Sequence, residues 1–252
     1  MKRLTIWIAL LAVAAAGIGA VGQSAESDAA AILDHVNEAW QGDSFHGLMS
    51  LDIVLGGQTK SYKLEVWTLG EELAMIRVLE PEIDLNSGYL QLGDDLWYYS
   101  PDVGSIKLPA IALGDALFGA GPSLEDLSHG TLSDDYDSSV EDLITEAGKP
   151  NGWFLTLIPH ADAPVVYGKL EIWVSIDYVM ERLLYYDQRG EVVQEATFTD
   201  IIKLGERKFS TTITIEDAYG DRTIQRIENP QFDLELNAPF FGLDTFESWG
   251  TD

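Results

Sequence analysis

The chain has 252 residues, with 42 acidic side chains against 15 basic ones, and it contains no cysteine. This negative charge excludes a nucleic-acid-binding function, because phosphate recognition needs a basic surface, and it disfavours docking on anionic lipid headgroups. Without cysteine the chain forms no disulfides and carries no cysteine-linked lipid anchor, so its stability has to come from a buried core.

The N-terminus predicts an export signal. Lys2 and Arg3 precede an uncharged apolar run over residues 4–21, and small residues follow at the expected cleavage site, with Ala25 as a second option. The run is also long enough for an uncleaved anchor. We expect residues 1–22 to be removed and the mature protein to be periplasmic. Losing the two basic residues leaves 13 basic side chains against 42 acidic ones, a formal charge of −29.

The mature chain begins with one helix and continues as strands. Apolar residues recur at helical spacing from Ser27 to Trp40, which predicts an amphipathic helix. The period then changes to two, and Glu80–Pro81 ends one strand because proline cannot donate to a ladder. The predicted strands are Leu48–Leu55, Tyr62–Val66, Leu73–Leu79, Tyr89–Leu92, Leu96–Ser100 and Ser105–Leu108.

Residues 109–129 differ from the strands before them. Ile111, Leu113, Leu117 and Phe118 recur at roughly helical spacing, and glycines interrupt the segment. This pattern predicts two short helices separated by a flexible joint. Residues 130–142 are polar and acidic, which predicts a loop.

Strand patterns return in the C-terminal half, at the spacing of about 8–12 residues that is typical of an antiparallel meander. These strands are predicted at Trp153–Pro159, Tyr167–Ile176, Val179–Tyr186, Val192–Ile202, Lys208–Glu216 and Arg222–Glu228. No shift in composition divides the mature chain. Residues 23–252 are therefore predicted to form one mainly β domain of about ten antiparallel strands, with helices inserted midway.

No pattern in the chain indicates catalysis. The four histidines, at positions 35, 46, 129 and 160, lack metal-ligand spacing, and the sequence has no phosphate-binding loop, dinucleotide fingerprint or nucleophile elbow. Glu65, Glu171 and Glu195 alternate with apolar residues, which predicts that they lie on the face opposite the apolar one. We expect no catalytic residue, no metal and no cofactor, and hence a binding protein rather than an enzyme.

Aromatic side chains lie in many of the predicted strands. Two interpretations are open. The aromatic side chains pack in a core on one face and form an aromatic-rich surface on the other, or those on one face line a cavity for acyl chains. A concave apolar sheet needs a cover, because so much exposed apolar surface would aggregate. The apolar segment over residues 111–118 is the predicted lid.

Arg77 is the one charge within an apolar strand segment. Two interpretations are open. Its stem packs at the sheet edge while its head reaches water, or its guanidinium hydrogen-bonds carbonyls of the lid and holds the closed state.

Several motifs in a fixed order resemble a known family. They are M-I-R-V-L-E-P at 75–81, L-W-Y-Y-S-P-D-V-G-S-I at 96–106 and F-G-A-G-P-S-L-E-D-L at 118–127, followed by a strand-turn-strand run from Lys169 to Val193. With these motifs nearly the whole mature chain resembles the outer-membrane lipoprotein-sorting proteins, which are LolA-like periplasmic carriers. The chain differs from them in its acidity and in its less basic Ser105-Ile106-Lys107.

The resemblance implies a single antiparallel sheet curled into a half-open, incomplete β-barrel, with helices plugging its concave face. It implies binding of lipoprotein or phospholipid acyl chains and their transfer towards the outer membrane. The partner would be an inner-membrane transporter or an outer-membrane receptor. The alternative is an extracytoplasmic lipid-sensing or adaptor domain that docks on a membrane protein without transport. The residues predicted to form the cavity and lid are Trp67, Met75, Arg77, Leu79, Trp97, Tyr99, Ile111, Leu113, Leu117, Phe118, Leu170, Ile172 and Val174.

Overall fold

Strands dominate the parts of the chain that the computed structural model describes, which are residues 28–70, 72–93, 95–109, 135–161, 163 and 165–249, with the backbone only for residues 40 and 41. The strands in chain order are β1 (Ser44–Leu55), β2 (Gln58–Leu69), β3 (Leu73–Glu80), β4 (Gly88–Leu92), β5 (Asp95–Ser100), β6 (Gly104–Leu108), β7 (Tyr136–Glu146), β8 (Lys149–Pro159), β9 (Lys169–Ser175), β10 (Met180–Tyr186), β11 (Val192–Leu204), β12 (Arg207–Asp217) and β13 (Arg222–Phe232).

All 13 strands join one sheet in the order β6-β5-β4-β3-β2-β1-β13-β12-β11-β10-β9-β8-β7. Each described pair of neighbours is antiparallel. The two ends of this order, β6 and β7, do not pair with each other, so the sheet is not closed into a barrel. The predicted fold class is confirmed, although the sheet has 13 strands rather than about ten.

Helix α1, Ala29–Gln41, precedes the sheet and confirms the helix predicted over residues 27–40. Asp28 caps it, because its carboxylate accepts a hydrogen bond from the backbone N–H of Ala30. Ile32, Leu33 and Val36 recur on one face of the helix and are buried against the sheet. No helix in the described parts of the chain combines the length and the apolarity needed to cross a membrane.

The loop predicted over residues 130–142 is wrong from Tyr136 onwards, where the chain forms the edge strand β7. Tyr136 is buried, and Val140 pairs with the fully buried Leu155 of β8. Between these residues the side chains are polar because an edge strand is solvated on one face and along its free edge. Residues 130–134, like most of the two helices predicted at 109–129, lie outside the described residues.

The last strand extends beyond its predicted end at residue 228 and leads into a C-terminal segment without a predicted structure. This segment contains a short 3-10 helix, Ala238–Phe240, and helix α2, Leu243–Ser248. We call residues 234–249 the tail. Its apolar side chains pack back onto the sheet, so the tail is part of the core rather than an extension.

Candidate functional site

The strand register divides the sheet into two faces, because cross-strand partners share a face and neighbours along a strand alternate. We call one the α1 face, since α1 packs on it, and the other the tail face. Leu64 of β2 lies on the α1 face together with its partners Met49 and Val78. The register continues this face through the pairs Leu51–Gln225, Gln225–Ile213, Ile213–Phe198, Ala196–Leu183, Leu183–Ile172 and Ile172–Leu155.

The first apolar cluster of the α1 face lies on strands β7 to β11. The helix contributes Ala29, Ile32, Leu33 and Val36, and all of these side chains are buried. Opposite them the sheet contributes its own buried side chains, among them Trp153, Leu155, Leu157, Leu170, Ile172, Val174 and Leu183. Helix and sheet together form a dry core in this half of the face.

The second apolar cluster of the α1 face lies on strands β1 to β3. Its buried members are Phe45, Met49, Leu64, Val66, Ile76 and Val78, with Leu51 and Ile53 beside them. Within the described residues this cluster consists of strand side chains alone. Thr223 and Gln225 of β13, both buried, stand between it and the first cluster, so a short polar strip divides the face.

The tail covers the opposite face of strands β2 to β5. Phe241, Phe246 and Trp249 are buried there, against Met75, Leu90 and Tyr99 of the sheet. The Tyr99 hydroxyl donates to the carbonyl oxygen of Glu247 at 3.2 Å.

Gly88 of β4 makes room for the end of the tail. A Cβ at this position would lie 1.9 Å from the Ile76 carbonyl oxygen and 3.1 Å from the Trp249 ring. Only glycine therefore allows both the strand pairing and the seat of Trp249.

Arg77 also lies on the tail face. Its Nε and Nη2 atoms both donate to Asn86 Oδ1, at 3.0 and 2.7 Å, and its guanidinium carbon lies 5.4 Å from the centre of the Trp249 ring. The guanidinium thus joins the β3–β4 loop to the tail. Its predicted lid partners lie outside the described residues.

The residues predicted for one cavity lie on both faces. Leu170, Ile172 and Val174 are on the α1 face within the first cluster. The tail face holds Trp67, Met75, Arg77, Trp97 and Tyr99. Leu79 is half-buried at the point where the pairing of β3 with β2 shifts by one residue. Ile111, Leu113, Leu117 and Phe118 lie outside the described residues.

The sequence prediction left out the α1-face residues of β1 and β2, and this omission has a simple origin. Leu64 and Val66 alternate with Lys63 and Glu65 inside a predicted strand, so the sequence does carry the signal of an apolar face there. The predicted cavity rested instead on the aromatic side chains of β5 and on Arg77 in β3, and both faces of these two strands carry apolar residues.

Beyond the tail, the tail face carries charged and aromatic side chains. As predicted, Glu171 and Glu195 lie there, opposite the apolar α1 face. Burial by itself raises the pKa of Glu171, but hydrogen bonds from Lys169 and the Tyr186 hydroxyl outweigh it, and the pKa ends below its usual value. Burial and the bond to Glu171 raise the pKa of Tyr186 to about 12. This half of the tail face is a solvated surface of paired charges.

A groove of about 380 Å³ lies at the ends of β11 and β12, away from both apolar clusters. Glu195, Glu216 and Asp217 line it together with Val192 and Thr214. Three carboxylates make it a poor site for an acyl chain. The apolar clusters of the α1 face are therefore the better candidate for a lipid site.

Known structures share this architecture. A lipoprotein-sorting protein domain from Vibrio parahaemolyticus aligns with a TM-score of 0.73 at 16% identity, covering 87% of this chain and 98% of the other. A DUF1329 family protein from Desulfovibrio piger aligns with a TM-score of 0.75 at 17% identity, covering 86% and 97%. For a LolA superfamily protein from Nitrosomonas europaea the values are 0.71, 20%, 86% and 98%.

Sequence comparison adds a family. No curated protein matches the sequence significantly. A family model described as "Uncharacterized protein" matches residues 70–248, which is more than half of the chain and spans β3 to α2. The chain therefore belongs to that family, and its fold is the one shared by outer-membrane lipoprotein-sorting and other LolA superfamily proteins.

Proposed function

We propose that this chain is a periplasmic carrier that binds acyl chains of lipoproteins or phospholipids on the α1 face of its sheet and passes them towards the outer membrane. The observation that carries the proposal is the second apolar cluster. Its six buried apolar side chains form a continuous patch on one face of strands β1 to β3. A sheet face of this kind needs a second apolar layer, which an acyl chain can supply.

The energetics favour a ligand that can also leave. Burial of an acyl chain contributes about 0.8 kcal/mol per methylene, so a long chain brings a large gross gain. Displacing whatever covers the cluster in the empty protein offsets most of that gain. Release to a membrane partner then requires only a small additional free energy.

The fold supports the proposal, because proteins of the same architecture include lipoprotein-sorting ones. The role is one of binding and transfer, without catalysis. An inner-membrane donor and an outer-membrane acceptor complete the proposed route. The predicted lid at residues 111–118 stays a prediction.

Two consecutive residues allow a sharp test. Val66 lies in the second cluster of the α1 face, whereas Trp67 lies on the tail face. We would replace each in turn with a photoreactive phenylalanine analogue, irradiate the protein in its own envelope, and identify adducts by mass spectrometry. The proposal expects lipid or lipoprotein adducts at position 66 and none at position 67.

Other outcomes have equally clear meanings. Equal lipid labelling at both positions would contradict a site on the α1 face. Protein that is reproducibly empty and leaves the envelope in a stable complex with a membrane protein would favour the adaptor role instead. Native mass spectrometry of the untreated protein distinguishes a protein with bound lipid from an empty protein in a complex with a membrane protein.

A further inference from the structure

The most exposed large apolar side chains of the described residues share one end of the sheet. They are Tyr219, Ile83, Val166 and Val103, with exposed fractions of 93, 90, 75 and 65%. We call these four the apolar rim. Each lies in a connection between two strands, Ile83 within the short 3-10 helix Glu82–Asp84. Antiparallel pairing brings the β3–β4, β5–β6, β8–β9 and β12–β13 connections to the same end, as the pairs Lys63–Glu80, Val54–Arg222 and Tyr136–Pro159 show.

The two ends of the sheet differ. Leu55, Leu85, Ile158 and Val192 are further exposed apolar residues at the rim end. At the opposite end the exposed large apolar residues among the described ones are Ile176, Ile201 and Leu204, and none of them is more than 50% exposed. Scattered surface hydrophobics need no explanation, but a strong bias to one end does.

The rim extends along most of one end of the sheet. Val103 lies between β5 and β6 at one edge of the sheet, and Val166 lies between β8 and β9 near the other, with ten strand spacings between them. At about 4.8 Å per spacing this is roughly 50 Å along the sheet. A peptide groove would collect its apolar contacts in one place. Apolar tips spread along one whole end of the sheet suit a broad apolar medium, and Tyr219 is of a type enriched at membrane interfaces.

The charges around the rim select the kind of membrane. Glu82 and Asp84 flank Ile83, Asp102 precedes Val103, and Asp217 and Asp221 surround Tyr219. Carboxylates in these positions repel anionic headgroups and attract the ammonium groups of zwitterionic ones.

We propose that the apolar rim is a membrane-docking surface, which inserts these four side chains into the interface of a zwitterionic phospholipid bilayer. The inference does not depend on a cargo, since an empty protein presents the same rim. Insertion of apolar tips resists salt, whereas attachment by surface charge does not.

The test uses the protein after export and processing, with vesicles of phosphatidylethanolamine and phosphatidylcholine. The rim variant combines Ile83→Ser, Val103→Ser, Val166→Ser and Tyr219→Ser. The matched control combines Ile176→Ser, Ile201→Ser and Leu204→Ser at the other end. We expect the rim variant to lose at least tenfold in vesicle partitioning and the control to stay within twofold of the unaltered protein, at both low and high salt.

A second readout avoids any effect on folding. The chain has no cysteine, so Tyr219→Cys and Ile201→Cys can each carry a single environment-sensitive dye. The proposal expects a blue shift on vesicle addition at position 219 only. It is overturned if neither dye shifts, if both shift equally, or if binding needs anionic vesicles and is lost in salt. Binding only to native membranes that contain protein would make the partner a protein, and this too overturns it.

Discussion

Arg77 connects the sheet to the tail through Asn86 and Trp249, and it does so from the tail face. We expect Arg77→Leu to lower the free energy of unfolding by about 1–2 kcal/mol, since hydrogen bonds to a charged group and one cation–π contact are lost at a half-buried site. Urea unfolding measures this loss. Arg77→Lys is the matched control, which keeps the charge and loses the two-pronged geometry. Unchanged stability together with lost lipid labelling at position 66 would support the lid latch instead.

Tyr186 gives the molecule a pH dependence at the alkaline side. Its pKa in the folded protein is raised from 10.0 to about 12, first by burial and then by its hydrogen bond to Glu171. A raised pKa means that the folded state holds the proton more tightly. The stabilisation is therefore complete below pH 10 and is lost as the pH rises through about 12.

We expect Tyr186→Phe to flatten this part of the profile. Between about pH 9 and pH 12 the melting temperature of the unaltered protein should fall more steeply than that of the variant. Lys169 and Arg182 also face Tyr186 and are kept in both proteins. Parallel profiles would show that the Tyr186–Glu171 bond contributes nothing to the alkaline limit.

The tail is the element whose contribution to stability is easiest to measure. Phe246 is fully buried between Tyr99 and Trp249, with ring centroids at 5.4 and 5.1 Å. We expect Phe246→Ala to cost about 3–5 kcal/mol, as for other large-to-small changes in a core. Phe240→Ala, at a half-buried position of the same tail, is the control and should cost clearly less. Equal costs in urea unfolding would mean that the tail is not anchored through Phe246.

The tail also marks a limit of sequence reading. Helix α2 has six residues, which is too short for a helical period to emerge, and its apolar side chains follow prolines and glycines that indicate a loop. α1 was predictable because it repeats its apolar face over three turns and begins at a capping aspartate. β7 was predicted as a loop because its polar and acidic side chains hide the alternation of a strand. These side chains are polar because β7 is an edge strand with one solvated face.

Strand positions were mostly predictable, but faces were not. Alternation places Met75 and Ile76 on opposite sides of β3, yet both are buried, because the tail covers one side and the second cluster forms on the other. Hydrophobicity cannot decide between two apolar faces. That decision needs the register from β3 through β2 to β1, where Met49 and Leu51 alternate with the polar Ser50 and Asp52. The predicted cavity list mixed two faces for this physical reason.

The excess of acidic charge acts on the molecule as a whole. Nine pairs of a lysine or arginine with a carboxylate lie among the described residues, most of them at exposed positions, and such pairs contribute about 0–1 kcal/mol each. With 42 acidic side chains against 15 basic ones, most carboxylates have no cationic partner. Repulsion among the remainder should therefore outweigh the ion pairs.

We expect added salt to stabilise the folded protein, because screening weakens the repulsion among many carboxylates more than it weakens a few pairs. Calorimetry in NaCl from about 10 mM to about 500 mM should show a melting temperature that rises by several degrees and levels off once the Debye length is short. Matching concentrations of a neutral osmolyte are the control for solvent effects. A melting temperature that falls with salt would contradict this prediction. It would mean that the ion pairs of the tail face stabilise the folded protein more than repulsion among the excess carboxylates destabilises it.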